Sequence, residues 1–151
     1  MSSLYQWSPL LFPLLLLFSF PSSVLLCSCA ARTVARSICD VDWISHLRIV
    51  DNISASNRSD FDDLSYSVHH VEIFKSPNWT LPSVLSTPSH ESICGVTVHE
   101  GEEYLLAGYL KGNSLWTVLC GLLQEDGRMF KDWKSRSESF IRSLNESSCL
   151  N

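Results

Sequence analysis

Ile93-Cys-Gly-Val-Thr-Val98, Tyr104-Leu-Leu-Ala-Gly-Tyr109 and Leu115-Trp-Thr-Val-Leu-Cys120 are three short apolar runs that follow closely on one another. Glu100-Gly101 and Lys111-Gly112-Asn113 separate them. Glycine at both breaks offers the positive φ that tight hairpins require. The three runs are therefore expected to form an antiparallel meander. Within the last run Trp116, Val118 and Cys120 share one face of a strand, which directs Cys120 toward the core.

Working outward, residues 43–50 lean apolar and read as a strand. Residues 51–67 are rich in Asn, Ser and Asp and read as a long exposed loop. Residues 68–75 alternate, with Val71 and Ile73 on one face and Glu72 on the other. Residues 76–88 hold Pro77, Pro82 and Pro88 and are expected to be irregular. Downstream, Phe130, Trp133, Ser137, Phe140, Ile141 and Leu144 recur at three- and four-residue spacing, the mark of an amphipathic helix with one stripe on the sheet. Five or so short strands and one packed helix suggest a mainly β chain. Its fold class is a five-stranded OB-fold-like Greek-key barrel plus a C-terminal helix.

The cysteines are Cys27, Cys29, Cys39, Cys94, Cys120 and Cys149. An even number in a short chain behind an apolar leader reads as a disulfide framework. Six cysteines allow fifteen pairings. Cys27 and Cys29 are too close in sequence to bond without strain, and an economical arrangement ties the front three to the distant three. Residues 1–26 carry no charged side chain, and their apolar core is broken by Pro9, Pro13 and Pro21. It is shorter than the roughly 20 residues a spanning helix needs, so the expectation is a secretory signal peptide, not a membrane span. Cleavage before Cys27 would leave one domain at residues 27–151. The small-residue preference of signal cleavage also fits a cut after Ser23, which would leave Val24-Leu25-Leu26 ahead of Cys27.

A net charge of −5 argues against nucleic acid and anionic membranes as partners. Asn52, Asn57, Asn78 and Asn145 open Asn-x-Ser/Thr sequons, candidate N-glycosylation sites that fit a secreted, extracellular protein. His69 and His70 are adjacent on a strand and point to opposite faces. His46, His90 and His99 lack any His-Glu-x-x-His setting. No nucleophile elbow, phosphate loop or paired catalytic carboxylates occur, so the chain is not expected to be an enzyme or to hold a cofactor of its own.

The residues resemble those of the tissue inhibitors of metalloproteinases, specifically the N-terminal netrin-like domain. Cys27-Ser-Cys29, with Cys39 ten residues on, is similar to the family's start. Residues 39–50 resemble its first strand, and Thr87-Pro-Ser-His-Glu-Ser-Ile-Cys-Gly95 its Thr-Pro-x-x-Glu-Ser-Val-Cys-Gly segment. Glu103-Tyr-Leu-Leu-Ala-Gly108 resembles a later strand, and residues 116–120 the strand and cysteine after it. Ala31 stands where that family carries proline. The resemblance implies the pairs Cys27–Cys94, Cys29–Cys120 and Cys39–Cys149 and a one-domain inhibitor.

It also implies a mechanism in which the amine and carbonyl of Cys27 chelate the catalytic zinc held by a secreted or cell-surface zinc metalloproteinase. Ser28 would enter the first primed pocket, and Cys29, Ala30 and Ala31 would follow. Glu91, Ser92, Ile93 and Cys94 would form a second contact ridge. The alternative is a non-inhibitory netrin-like module contacting extracellular matrix, growth factors or receptors.

Overall fold

The structure is a computed structural model that describes residues 27–55, 59, 62–125, 128–129, 131–146 and 149. A short helix α1 (Val34–Cys39) precedes five barrel strands: β1 (Trp43–Asn52), β2 (Leu64–Lys75), β3 (Val84–Thr87), β4 (Glu103–Lys111) and β5 (Ser114–Trp116). A small hairpin of β6 (Gln124–Glu125) and β7 (Arg128–Met129) and a helix α2 (Glu138–Glu146) complete the chain. The barrel is closed in the order β1-β2-β3-β5-β4. All its pairings are antiparallel except β3 with β5, where Leu85 faces Leu115. This is the OB-fold topology expected from the strand count.

Two apolar clusters explain the patterning. Trp43, Leu47, Ile49, Tyr66, Val68, Leu85, Leu106 and Leu115 meet inside the barrel. Ile38, Val41, Ile44, Leu105, Ala107, Leu123, Phe140 and Leu144 pack between the sheet and the two helices. Alternation in β4 sends Tyr104 and Leu106 to the first cluster, Leu105 and Ala107 to the second. A strand covered on both faces reads as a continuous apolar run, which is why it stood out in the sequence.

Several expectations need correction. Residues 93–98 are not a strand: Glu91–Ile93 is a 3-10 turn, and Val96 and Val98 reach the core from irregular backbone. The meander therefore reduces to the β4–β5 hairpin. Leu115 and Thr117, not Trp116 and Val118, are the buried residues of the last run, and Cys120 lies in a half-buried 3-10 turn, Leu119–Gly121. Strand β2 begins at Leu64, inside the segment read as loop, and Val71 is exposed because the core face of β2 is Tyr66 and Val68. Bulges between β1 and β2 shift the alternation along the strand. The proline-rich segment contains β3, set between Pro82 and Pro88. The C-terminal helix starts at Glu138; Trp133 lies in a separate turn, Trp133–Ser135, and Phe130 lies outside the described residues.

Polar groups lock the elements together. Lys75 Nζ donates to the carbonyls of Ile38, Cys39 and Val41 at 3.0, 3.3 and 2.6 Å, capping the end of α1. Its burial lowers the ammonium pKa, with Asp42 and Asp40 opposing. Arg48 and then His46 bond Glu103 and hold its carboxyl below the usual range. His46 is buried and stacks on Trp133 at 3.5 Å. His69 is exposed, whereas the His70 ring lies 2.9 Å from Ser45 Oγ and 3.0 Å from the Pro82 carbonyl. Among the described residues no helix is long and apolar enough to cross a membrane.

Candidate functional site

Residues 27–31 run along one edge of the barrel as a ribbon without regular structure. Cys27 bonds Cys94 and Cys29 bonds Cys120, each with its Cα atoms 5.1 Å apart. Cys39 bonds Cys149 at 5.4 Å, joining the end of α1 to the chain beyond α2. These are the pairs implied by the resemblance. They span 67, 91 and 110 residues, and loops of that length are worth about 4 kcal/mol each in the chain-entropy account.

The first two bridges converge. Cys27 Sγ lies 3.7 Å from Cys120 Sγ, and the sulfurs of Cys27, Cys94 and Cys120 lie within 4.8 Å of one another. All three are oxidised, so none offers the thiolate a metal site needs. The cluster is a covalent knot under the ribbon. Ser28, Ala30 and Ala31 are exposed above it, with Cys27 and Cys29 half-buried between them.

The turn at Glu91–Ile93 forms the adjoining edge. Ile93 N donates to His90 O at 3.1 Å and Cys94 N to Glu91 O at 3.1 Å. Cys94 adopts a left-handed conformation with φ 67°, which reverses the chain and brings the turn beside Cys27. Gly95 then passes so close to Pro88 that a Cβ there would lie 2.1 Å from the Pro88 carbonyl oxygen. Leu119 N donates to Cys94 O at 2.8 Å, tying both disulfide turns together. Glu91, Ser92 and Ile93 are all exposed, and Ile93 is 42 % exposed despite its apolar side chain. Glu91 Oε1 accepts from Thr97 Oγ1 at 2.9 Å, so one carboxylate oxygen braces the turn.

The site thus joins two segments far apart in sequence into a continuous exposed edge. Sequence reasoning missed Gln124, whose side chain bonds the Ala30 carbonyl and the Arg32 N–H, and Arg32, whose guanidinium donates to the Cys120 carbonyl. Neither belongs to a motif, and Gln124 is 2 % exposed in a stretch to which the sequence assigned no element. A separate cavity of about 570 Å³, lined by residues including Glu103, Asp132 and Trp133, lies at another part of the surface and contains none of the ribbon residues.

The fold is a small closed β-barrel to which two disulfides pin the segment 27–31. The chain belongs to the tissue inhibitor of metalloproteinase family, whose pattern it matches over residues 26–144. It is 39 % identical over 113 residues to a Caenorhabditis elegans protein named for that activity, tag-225, covering 69 % of this chain and 72 % of that one. It is 26 % identical over 145 residues to metalloproteinase inhibitor 2 of Bos taurus, covering 91 % of this chain and 62 % of the relative. Against metalloproteinase inhibitor 2 of Gallus gallus it is 27 % identical over 128 residues, covering 80 % and 54 %. The chain therefore spans little more than half the length of these two vertebrate relatives. Its family is one of inhibitors, not enzymes.

Proposed function

We propose that this chain is a secreted inhibitor of zinc metalloproteinases and that the edge built from residues 27–31 and Glu91–Ile93 is its inhibitory surface. The observation that carries the reading is the Cys27–Cys94 bridge, which sets the ribbon beside the exposed turn. Family membership supports the protease class of the partner. With Cys27 as the mature N-terminus, its α-amine and carbonyl oxygen would be the groups that hold the protease's zinc, taking the place of the water the metal would otherwise activate. An α-amine with a pKa near 8 must be neutral to donate, and the metal favours that deprotonation. The zinc belongs to the partner, and the inhibitor needs no metal of its own.

Exposed Ser28 enters the first primed pocket, where its small hydroxyl leaves room and permits broad specificity. Cys29, Ala30 and Ala31 continue along the cleft. Because both disulfides order the edge beforehand, binding loses less conformational freedom than a flexible peptide would. Glycans at Asn52, Asn78 and Asn145, each exposed, are compatible with secretion; Asn57 and the proposed signal peptide at residues 1–26 lie outside the described residues.

The test combines intact mass of secreted protein with titration against a zinc endopeptidase. A mature start at Cys27 and stoichiometric inhibition are expected. A start at Val24 without inhibition would favour the non-inhibitory module contacting matrix, growth factors or receptors.

Substitution tests the two halves of the edge separately. Ser28→Arg presents a long cation to a pocket suited to smaller groups, and the inhibition constant should rise about tenfold or more, roughly 1.4 kcal/mol. Ile93→Asp should raise it only a few-fold, because that side chain lies away from the metal. Equal effects of the two substitutions would contradict this division of roles.

A further inference from the structure

Neither Ala30 nor Ala31 has a ring or a branched side chain to restrict its backbone, so the ribbon's direction between Cys29 and α1 must be set from outside. We propose that Arg32 and Gln124 form a clamp that positions residues 29–32 for binding, an inference that rests on reading this ribbon as the inhibitory edge. Gln124 Oε1 accepts from the Arg32 backbone N–H at 2.9 Å, and Gln124 Nε2 donates to the Ala30 carbonyl at 3.5 Å. One carboxamide therefore spans both backbone groups that flank Ala31, as a neighbouring strand would.

The clamp is itself held. Gln124 N donates to Ser37 Oγ at 3.4 Å, and Ser37 is fully buried in α1. The Arg32 side chain, 15 % exposed, turns under the ribbon. Its Nη2 donates to the carbonyls of Cys120 and Leu122, the latter at 3.2 Å, and its Nη1 lies 3.9 Å from Asp40. Arg32 thereby fastens the ribbon to the turn that holds the far end of the Cys29 bridge. A planar, multidentate donor suits two carbonyls in a way a lysine does not.

A buried glutamine with both ends of its amide on the ribbon is costly unless both bonds form. Its contribution is to direction, not to core packing. Arg32 and Gln124 are positioning residues; neither would touch the protease zinc.

The test uses the full secreted chain and residue-resolved amide exchange by NMR beside inhibition kinetics. Gln124→Met keeps the volume and removes both bonds. The Arg32 amide should then exchange about tenfold faster or more, while the Leu105 amide in β4, bonded to Lys131 O at 2.7 Å, keeps its rate. The inhibition constant should rise about tenfold. Gln124→Glu retains the acceptor and should preserve the Arg32 protection. Unchanged Arg32 exchange in Gln124→Met would overturn the clamp, as would equal acceleration at Leu105, which would mark a general role in the fold. Faster Arg32 exchange with undiminished inhibition would overturn the positioning role. If the unsubstituted protein inhibited no metalloproteinase, the reading of the edge would fall, and the exchange pattern would still decide whether the clamp exists.

Discussion

Adding one alanine before Cys27, or carbamylating its α-amine, should weaken inhibition about a thousandfold or more. That loss corresponds to roughly 4 kcal/mol. The amine donates a lone pair to zinc only when it is terminal and neutral, and a carbamyl or peptide nitrogen has that pair delocalised into a carbonyl. Nothing else in the chain changes: the Cys27–Cys94 and Cys29–Cys120 bridges lie on the side-chain and not the amine side of the residue. Thermal unfolding and non-reducing peptide maps of the blocked protein should therefore match those of the unblocked one. Undiminished inhibition by the blocked form, with the fold intact, would remove Cys27 as the chelating group. The same chemistry predicts a pH effect. Binding should weaken at pH values well below the amine's own pKa, where a proton competes with the metal for the nitrogen.

The second large effect is on stability. Gly95→Ala should lower the unfolding free energy by about 3 kcal/mol and the midpoint temperature by roughly 10 °C. A Cβ at position 95 would lie 2.1 Å from the Pro88 oxygen, 2.8 Å from the His90 oxygen and 2.9 Å from the Pro88 carbonyl carbon. All three atoms are backbone, so no side chain can swing aside. The only relief is to move the turn at Glu91–Ile93, and with it the exposed ridge beside Cys27, so inhibition should fall together with stability. Gly101→Ala separates this clash from simple backbone cost. Gly101 has φ 79° and nothing within 4 Å of its would-be Cβ, so alanine there meets only the left-handed penalty of about 1 kcal/mol. Calorimetry of both oxidised variants decides the matter, and equal midpoints would contradict the clash.

Much of the barrel was legible because its core strands obey short-range rules. β1 and β4 are apolar runs long enough to announce themselves, and Gly112 marks the β4–β5 turn with φ 61°. β3 escaped notice for a physical reason. Five residues between prolines carry little periodic signal, and Val84–Thr87 among them becomes a strand only because β2 and β5 flank it. Residues 93–98 misled in the opposite direction. Val96 and Val98 alternate like a strand, but the Cys27 bridge and the reversal at Cys94 keep that backbone out of any ladder, while Thr87 Oγ1 accepts from Val96 N at 2.9 Å.

The candidate site divides along the same line. By itself the sequence determined that six cysteines stand in a family-like spacing, that Cys27-Ser28-Cys29 is the segment to watch, and that the chain carries no enzyme motif. Spacing and residue type are local properties, so they survive without a fold. Only the tertiary structure decided that Ile93 stands exposed beside the ribbon, that Gly95 has no room for a methyl group, and that the Gln124 carboxamide meets the backbone at Ala30 and Arg32. Those facts depend on contacts between segments up to 94 residues apart. A chain cannot display such contacts until barrel closure and the disulfides have brought the segments together.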